Sequence, residues 1–336
     1  METLRLKDNK EGITAAAEIL KADGIVAMPT ETVYGLAASA YSNTAIAKVF
    51  SAKGRPQDNP LIVHISDMEM LSSVVGEFPA TAKVLAQKFW PGPLTMVLPK
   101  GEKIASSVSA GLSTVAVRMP SNPVARELIR VGGLPLAAPS ANLSGSPSPT
   151  SYHHVITDLD GRINAVIMSG ECEVGLESTV VSLAATPPRL LRPGFITAEQ
   201  LKEVIPNLVI DKAVLEELQK GEKAASPGMM YKHYSPKTEV FLVEAEKAEF
   251  ISFVNSNENC AAICFSEEKD KIKVPVLTLG EEDSAEAQAK NLFGLLRESD
   301  NLKVKTVYVH APKKDGVGLA VYNRLIRAAG FKVIKL

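Results

Sequence analysis

Aromatic residues make up only 5% of this 336-residue chain, which has one tryptophan and three cysteines. Cys172, Cys260 and Cys264 are odd in number and form no C-x-x-C pair, which excludes a disulfide framework and a zinc ribbon. They read as small apolar side chains in or near the core. Neither sign of charge is in excess: 37 Lys and Arg face 38 Asp and Glu, for a formal net charge of -1. A whole-molecule field that would gather nucleic acid is therefore missing, although a local basic pocket needs only a few Lys and Arg aimed at one place. No segment reaches the roughly 18 apolar residues of a membrane span, and Met1 to Lys10 has no apolar h-region, so a cytoplasmic protein is expected. There is also no G-x-x-x-x-G-K-[ST] phosphate loop, no G-x-S-x-G elbow and no H-E-x-x-H pair.

What is present is the composition of a folded protein, 46% hydrophobic and 22% charged. At about 100–200 residues per domain, the length fits two domains better than one. A helical pattern at Gly12–Asp23 stops at Gly24, and the apolar run Ile25–Met28 reads as a buried strand. Helices are expected near Asn43–Ala52, Ala80–Phe89, Pro123–Val131 and Tyr152–Leu159. Between them fall strand-like runs at Leu61–Ile65, Leu94–Leu98, Thr114–Arg118, Leu134–Ala138, Ala165–Met168 and Thr179–Leu183, a sheet covered by helices. Beyond Thr238, strands at Val240–Val243, Ala261–Phe265, Val274–Thr278, Thr306–His310 and Lys332–Ile334 alternate with helices at Lys247–Val254, Ala285–Arg297 and Leu319–Ala329. That alternation implies a small doubly wound sheet. Gly316-Val317-Gly318 is a weak dinucleotide signal and reads better as a helix-start turn.

Three polar clusters follow apolar strands, where open α/β sheets place their ligands. Pro29-Thr30-Glu31-Thr32-Val33-Tyr34-Gly35-Leu36 could hold a small zwitterion; by spacing alone, a strand-to-helix turn with Thr as N-cap fits equally well. In Lys53-Gly54-Arg55-Pro56-Gln57-Asp58-Asn59-Pro60, glycine and proline restrict the backbone, so Lys53 and Arg55 are expected on a shaped loop suited to a polyphosphate or, as the alternative, on a solvated turn. His64 sits in the apolar strand that follows. Pro139-Ser140-Ala141-Asn142-Leu143-Ser144-Gly145-Ser146-Pro147-Ser148 is rich in short donors for a nucleotide, yet Ser and Asn also favour turns. Arg118 and Arg192 close apolar runs and must reach water, a carboxylate or a ligand.

Pro29 to Leu36, Lys53-Gly54-Arg55-Pro56 with Asn59-Pro60-Leu61, Pro139 to Gly145, Glu177-Ser178-Thr179-Val180 and Leu191-Arg192-Pro193-Gly194 together resemble the YrdC/Sua5 family of threonylcarbamoyl-AMP synthases. These are five short motifs in the family's order, and Ser226 to Pro236 is similar to the linker of its two-domain Sua5 branch. The resemblance implies an α/β fold: a YrdC-like open twisted sheet with helices over residues 1–208, a linker or lid over 209–237, and a smaller Rossmann-like C-terminal domain over 238–336. It also implies that L-threonine, bicarbonate and ATP, with Mg2+ on the phosphates, give threonylcarbamoyl-AMP and pyrophosphate, the first step of t6A modification at adenosine 37 of tRNA.

Carried over onto this chain, the threonine side would use Thr32, His64, Arg118, Ala138 through its backbone, and Ser178. The ATP side would use Arg55, Asn59, Thr114, Ser140, Asn142, Ser148, Arg192 and Tyr231, with Lys53 and Arg55 acting on the leaving pyrophosphate. Met229–Tyr234 is expected to cover the cavity. An RNA-binding module is a rival reading, opposed by the balanced charge. A carbamoyl-phosphate-using hydrogenase maturation protein is another, opposed by the lack of zinc-finger cysteine pairs. Three roles stay open for the second domain: lid holder, regulator, or docking surface for the transferase complex that consumes the intermediate. Direct RNA binding stays open as well.

Overall fold

The structure is a computed structural model that describes residues 2–216 and 234–336. Eleven strands form the first sheet: β1 (Leu4–Lys7), β2 (Val26–Met28), β3 (Gly35–Ser39), β4 (Ile62–His64), β5 (Leu94–Pro99), β6 (Thr114–Arg118), β7 (Leu136–Ala137), β8 (Ala165–Met168), β9 (Thr179–Ser182), β10 (Arg189–Arg192) and β11 (Val209–Ile210). Their order is β1-β8-β2-β3-β7-β4-β6-β5-β9-β10-β11, with parallel and antiparallel neighbours mixed. Seven helices belong to this half: α1 (Lys10–Lys21), α2 (Asn43–Lys53), α3 (Met68–Leu71), α4 (Ala80–Phe89), α5 (Pro123–Gly132), α6 (Tyr152–Leu159) and α7 (Ala198–Lys202).

Alternation along the strands sends side chains to opposite faces. Val26, Met28 and Ala37 pack with Ile13, Leu20, Leu128 and Ile129 of α1 and α5. Ala27, Leu36 and Ala38 pack on the other face with Val49, Leu85 and Val155 of α2, α4 and α6. The helices stop where their sequence says: Ser42 caps α2 at its start, and Gly54, at φ 62°, ends it in the left-handed conformation that costs glycine least.

One expectation is corrected here. The segment after Met28 is not a strand-to-helix turn; it leads into β3, which runs antiparallel to β2 with Val26 opposite Ala37 and Met28 opposite Gly35. Gly35-Leu36-Ala37-Ala38-Ser39 carries no β-branched signal, but all five residues are buried between β2 and β7, and that tertiary pairing decides their conformation. Val209 and Ile210, expected in the linker, pair with β10 at the edge of the first sheet.

The second sheet contains β12 (Glu239–Glu244), β13 (Cys260–Phe265), β14 (Val276–Gly280), β15 (Thr306–His310) and β16 (Val333–Lys335), with helices α8 (Lys247–Asn255), α9 (Ala285–Glu298) and α10 (Gly318–Ala328). All its pairings are parallel, in the order β14-β13-β15-β12-β16. Leu292, Phe293, Val321 and Leu325 of α9 and α10 cover one face, and Phe250 and Val254 of α8 cover the other. The doubly wound expectation holds, and Gly318 opens α10 as a helix-start turn requires. All three cysteines are buried and unpaired.

The two halves interlock. Val33 and Leu176, from loops of the first half, sit in the core of the second beside Tyr234 and Phe293. Gly175, at φ 77°, lies so close to α9 that a Cβ there would stand 2.5 Å from the Cα of Lys290. On the flank of this contact, Arg297 of α9 grips Asp158 of α6 with both Nη atoms, at 2.9 and 2.8 Å.

Candidate active site

The register of three strands brings the chemistry together. Parallel pairing of β4 and β6 sets His64 opposite Arg118, and β7, antiparallel beside β4 with Leu136 opposite His64, brings Ala138 beside Ile62 and leads on to Ser140 at the same cavity. The Thr30–Gly35 turn, Glu177 and Ser178 ahead of β9, and Arg192 at the end of β10 close a cavity around these ends. Of the residues named from the sequence, Thr32, Arg55, His64, Arg118, Ala138, Ser140, Ser178 and Arg192 line it. Three arginines and one carboxylate, Glu177, supply its charge, so the lining favours an anion.

Arg118 is almost entirely buried and already engaged. Its Nη1 donates to Thr32 Oγ1 at 2.8 Å, Nε to the Gly92 carbonyl at 3.3 Å, and Nη2 stands 2.7 Å from Glu31 Oε2. Burial pushes the Glu31 carboxyl up, but the Arg118 charge and hydrogen bond more than reverse this and leave it below its ordinary value. Burial, reinforced by the Arg118 charge, takes His64 down to about 3, so the ring is neutral at pH 7, with Nδ1 3.2 Å from the Ile62 carbonyl.

Across the cavity, Arg192 donates from Nε to the Ser178 carbonyl at 3.0 Å and from Nη2 to Ser178 Oγ at 3.2 Å, while Thr95 Oγ1 lies 2.7 Å from the same hydroxyl. Burial lowers Arg192 to about 10, still charged at neutral pH. Ser148 is buried behind the lining and donates to Glu177 Oε1. Gly194 is required here, because a Cβ would meet the Thr179 backbone nitrogen at 2.5 Å.

Lys53 and Asn142 stand behind the wall. Lys53 is the last residue of α2, not a loop residue, and its Nζ donates to the carbonyls of Ser140 and Asn142 at 2.5 and 2.7 Å. Burial, with the Arg55 charge beside it, pulls its pKa well below the ordinary lysine value. The expectation that Lys53 is presented from the loop is thus corrected: Gly54 ends the helix one residue later, and the amine ties α2 to the Ser140–Ser148 loop. Asn142 braces that loop from within, donating to the carbonyls of Leu143 and Ser146 at 2.8 Å each.

Asn59 is buried, and its Oδ1 has no hydrogen-bond partner among the described residues. Thr114 begins β6 at the end away from Arg118 and borders a neighbouring small cavity with Pro60 and Ser109. Tyr34, read as a possible ligand phenol, is a core residue whose hydroxyl donates to the Ser169 carbonyl at 2.9 Å. Tyr231 and most of the expected cover, Met229–His233, lie outside the described residues; Tyr234 is described, is buried and lines the cavity.

The sequence places Glu31 in a cluster that could hold a small zwitterion and gives no separate role to Glu177 or Arg324; the fold joins all three to the site. Glu31 and Glu177 stood inside recognised motifs, but their meaning depends on arginines 87 and 147 positions away. The Arg324 Nε donates to Glu177 Oε2 at 2.8 Å. Among the described residues, no group of three or more His, Cys, Asp or Glu side chains is placed to hold a metal ion.

Comparison with known proteins agrees with this architecture. Residues 18–194 match the Sua5–YciO–YrdC family, which carries the description telomere recombination, and residues 196–330 match the threonylcarbamoyl-AMP synthase C-terminal domain. The chain belongs to the Sua5–YciO–YrdC family, in its two-domain Sua5 form. It is 44% identical to the threonylcarbamoyl-AMP synthase of Pyrococcus abyssi over 96% of each chain, and 44% identical to that of Bacillus subtilis over 99% of this chain and 97% of the relative. The solved structure of P. abyssi Sua5 complexed with L-threonine superposes with a TM-score of 0.90 at 40% identity, covering 100% of this chain and 99% of that one.

Proposed function

We infer that the chain is a threonylcarbamoyl-AMP synthase. Its near full-length likeness to synthases, one of them solved with L-threonine, carries this reading, and the arginine-lined cavity supplies the chemistry. The substrates are L-threonine, bicarbonate and ATP, and the product is the first intermediate of tRNA t6A modification. The catalytic domain is proposed over residues 1–208 with β11 completing its sheet, the connection over the rest of 209–237, and the second domain over 238–336 with Tyr234 packed into its core. Magnesium would arrive on the triphosphate.

The threonine amine and bicarbonate form a carbamate with loss of water, and a carbamate oxygen bonds to the α-phosphorus as the bond to the β-phosphate oxygen breaks and pyrophosphate leaves. No side-chain nucleophile is needed, so the chain acts by positioning and by charge. Thr32, His64, Arg118, Ala138 and Ser178 are proposed to hold threonine, and neutral His64 can accept or donate there without adding charge. Arg118 shares its guanidinium between Glu31, Thr32 and the incoming carboxylate, a fork that a lysine could not divide in this way. Arg55, Ser140, Arg192 and, outside the described residues, Tyr231 are proposed for ATP. Ser148, Asn142 and Lys53 support the nucleotide loop from behind. Asn59, ahead of β4, and Thr114, at the start of β6 and about 13 Å of strand from Arg118 at 3.3 Å per residue, are proposed to extend the nucleotide side.

The test is mass detection of the adenylate with each substrate omitted in turn. Product is expected only with all three, and adenylate formed without threonine or without bicarbonate would refute the reading.

A further inference from the structure

Arg324 of α10 is the largest of the fully buried side chains in the described residues. It points out of its own half of the molecule. Besides Glu177 Oε2, its guanidinium reaches the Pro193 carbonyl through Nη1 at 3.0 Å and the Glu177 carbonyl through Nη2 at 3.4 Å. The face of Tyr234 lies 5.8 Å away. Glu177 lines the cavity, and its other carboxylate oxygen accepts from Ser148. A single side chain of the second half therefore ends on the active-site wall and fixes both the Glu177 carboxylate and the backbone carbonyls of Glu177 and Pro193.

This contact differs from the Arg297–Asp158 ion pair between the halves. Arg297 and Asp158 join two helices at the flank of the molecule and satisfy a docking role. Docking alone would not require an arginine carried to a carboxylate that faces the substrates. A buried, unbalanced carboxylate there would repel a triphosphate, because charges interact strongly where water is excluded.

We propose that Arg324 is a positioning residue of the active site, holding Glu177 and through it Ser148 in register while offsetting the carboxylate's charge against the incoming triphosphate. The second half of the chain is then a structural part of the active site. This rests on the synthase reading above. The groups that face Glu177 are Arg324 from α10, Arg192 from β10, Lys53 from α2 and Tyr234. Burial pushes the carboxyl up, and Arg324 and Arg192 bring it below its ordinary value, so it is ionised at neutral pH. Without Arg324, it moves up.

The experiment measures adenylate formation by the full-length chain over about pH 6 to 9 for wild type, Arg324→Met, Glu177→Gln and the double variant. In Arg324→Met, the KM for ATP is expected to rise about tenfold or more, and to climb further with pH as the uncompensated carboxylate ionises. The double variant has no carboxylate to balance, so its ATP KM should return to within about threefold of wild type and lose this pH dependence. An unchanged ATP KM in Arg324→Met, or a double variant no better than that single change, would make the contact a docking bond and overturn the proposal. Should Arg324→Met fail to fold, Glu177→Gln decides: a kcat about tenfold lower with an unchanged threonine KM supports the positioning role, and unchanged kinetics overturn it. A wild type that makes no adenylate overturns the synthase reading and this inference with it.

Discussion

Replacing Arg118 by methionine would separate the electrostatic from the packing role of the cavity floor. Methionine fills much of the arginine stem, so the loss is the charge, the pair with Glu31 at 2.7 Å, and the donors to Thr32 and Gly92. With side chains 4% and 3% exposed, the Arg118–Glu31 pair is buried, and removing one partner of a buried pair costs about 3–5 kcal/mol. Set against a typical global stability of about 5–15 kcal/mol, that is a large fraction, and at about 2–4 °C per kcal/mol the melting temperature should fall by roughly 6–20 °C.

The pH dependence should change sign. In the wild type, the Glu31 pKa lies below 4.5, so the pair contributes stability that is present above the unfolded carboxylate value and lost as pH falls through the folded one. In the variant, burial, the largest influence, is opposed only by the backbone hydrogen bonds of Ser121 and Glu31, so the folded pKa is expected above the unfolded one and stability is lost as pH rises. The one tryptophan, Trp90, is buried in the first half, with its indole bonded to the Leu94 carbonyl at 2.7 Å, and reports on this half alone. Urea denaturation followed at Trp90 should show Arg118→Met losing more stability at about pH 8 than at about pH 5, with Glu31→Gln in the same chain restoring most of it. A deficit under about 1 kcal/mol, or one equal at both pH values, would refute the assignment of the floor's stability to this pair.

Gly175→Ala adds a left-handed penalty of about 1–2 kcal/mol to a direct clash with the backbone of α9, and calorimetry should resolve two transitions where the wild type shows one. Lys53→Met leaves the carbonyls of Ser140 and Asn142 short of a donor, at about 1–3 kcal/mol each, and should lower denaturation midpoints along with ATP affinity; full stability with lost turnover would return Lys53 to a direct phosphate role. Both ring nitrogens of His310 face acceptors, Glu268 at 2.7 Å and the Ala245 carbonyl at 2.9 Å. Burial lowers its pKa, but these bonds more than offset that and raise it above 6.5. The second half should therefore hold its full stability below the unfolded histidine value and lose it as pH rises through the folded one, a slope that hydrogen exchange in β15 would show and that His310→Gln would flatten.

Where side chains carry their own conformational preference, the fold could be read directly. The limits of Thr114–Arg118, Ala165–Met168 and Thr306–His310 agree between sequence and structure because branched apolar runs need little context. Gly35–Ser39 carries no strand signal because glycine and, less so, alanine are disfavoured in strands, and burial between neighbours decides the matter. The site divides in the same way. Arginines that close apolar runs signalled themselves, since a charge at a strand end needs a partner. The partners are contributed by distant segments, and no local pattern around Glu31 or Glu177 names Arg118 or Arg324. Lys53 looked like a loop residue because glycine follows it, whereas that glycine is the helix terminator.

Val33 of the cavity wall and Leu176, next in sequence to the wall residue Glu177, both pack into the neighbouring hydrophobic interior. Because wall and interior share these side chains, heat that loosens one loosens the other, so loss of activity on warming should coincide with loss of the Trp90 signal. In the other direction, ligands that order the wall brace an interior they never touch. Excising the catalytic half would bare two apolar side chains that the second half now covers, and a transplanted version of this half would need both recast as surface residues.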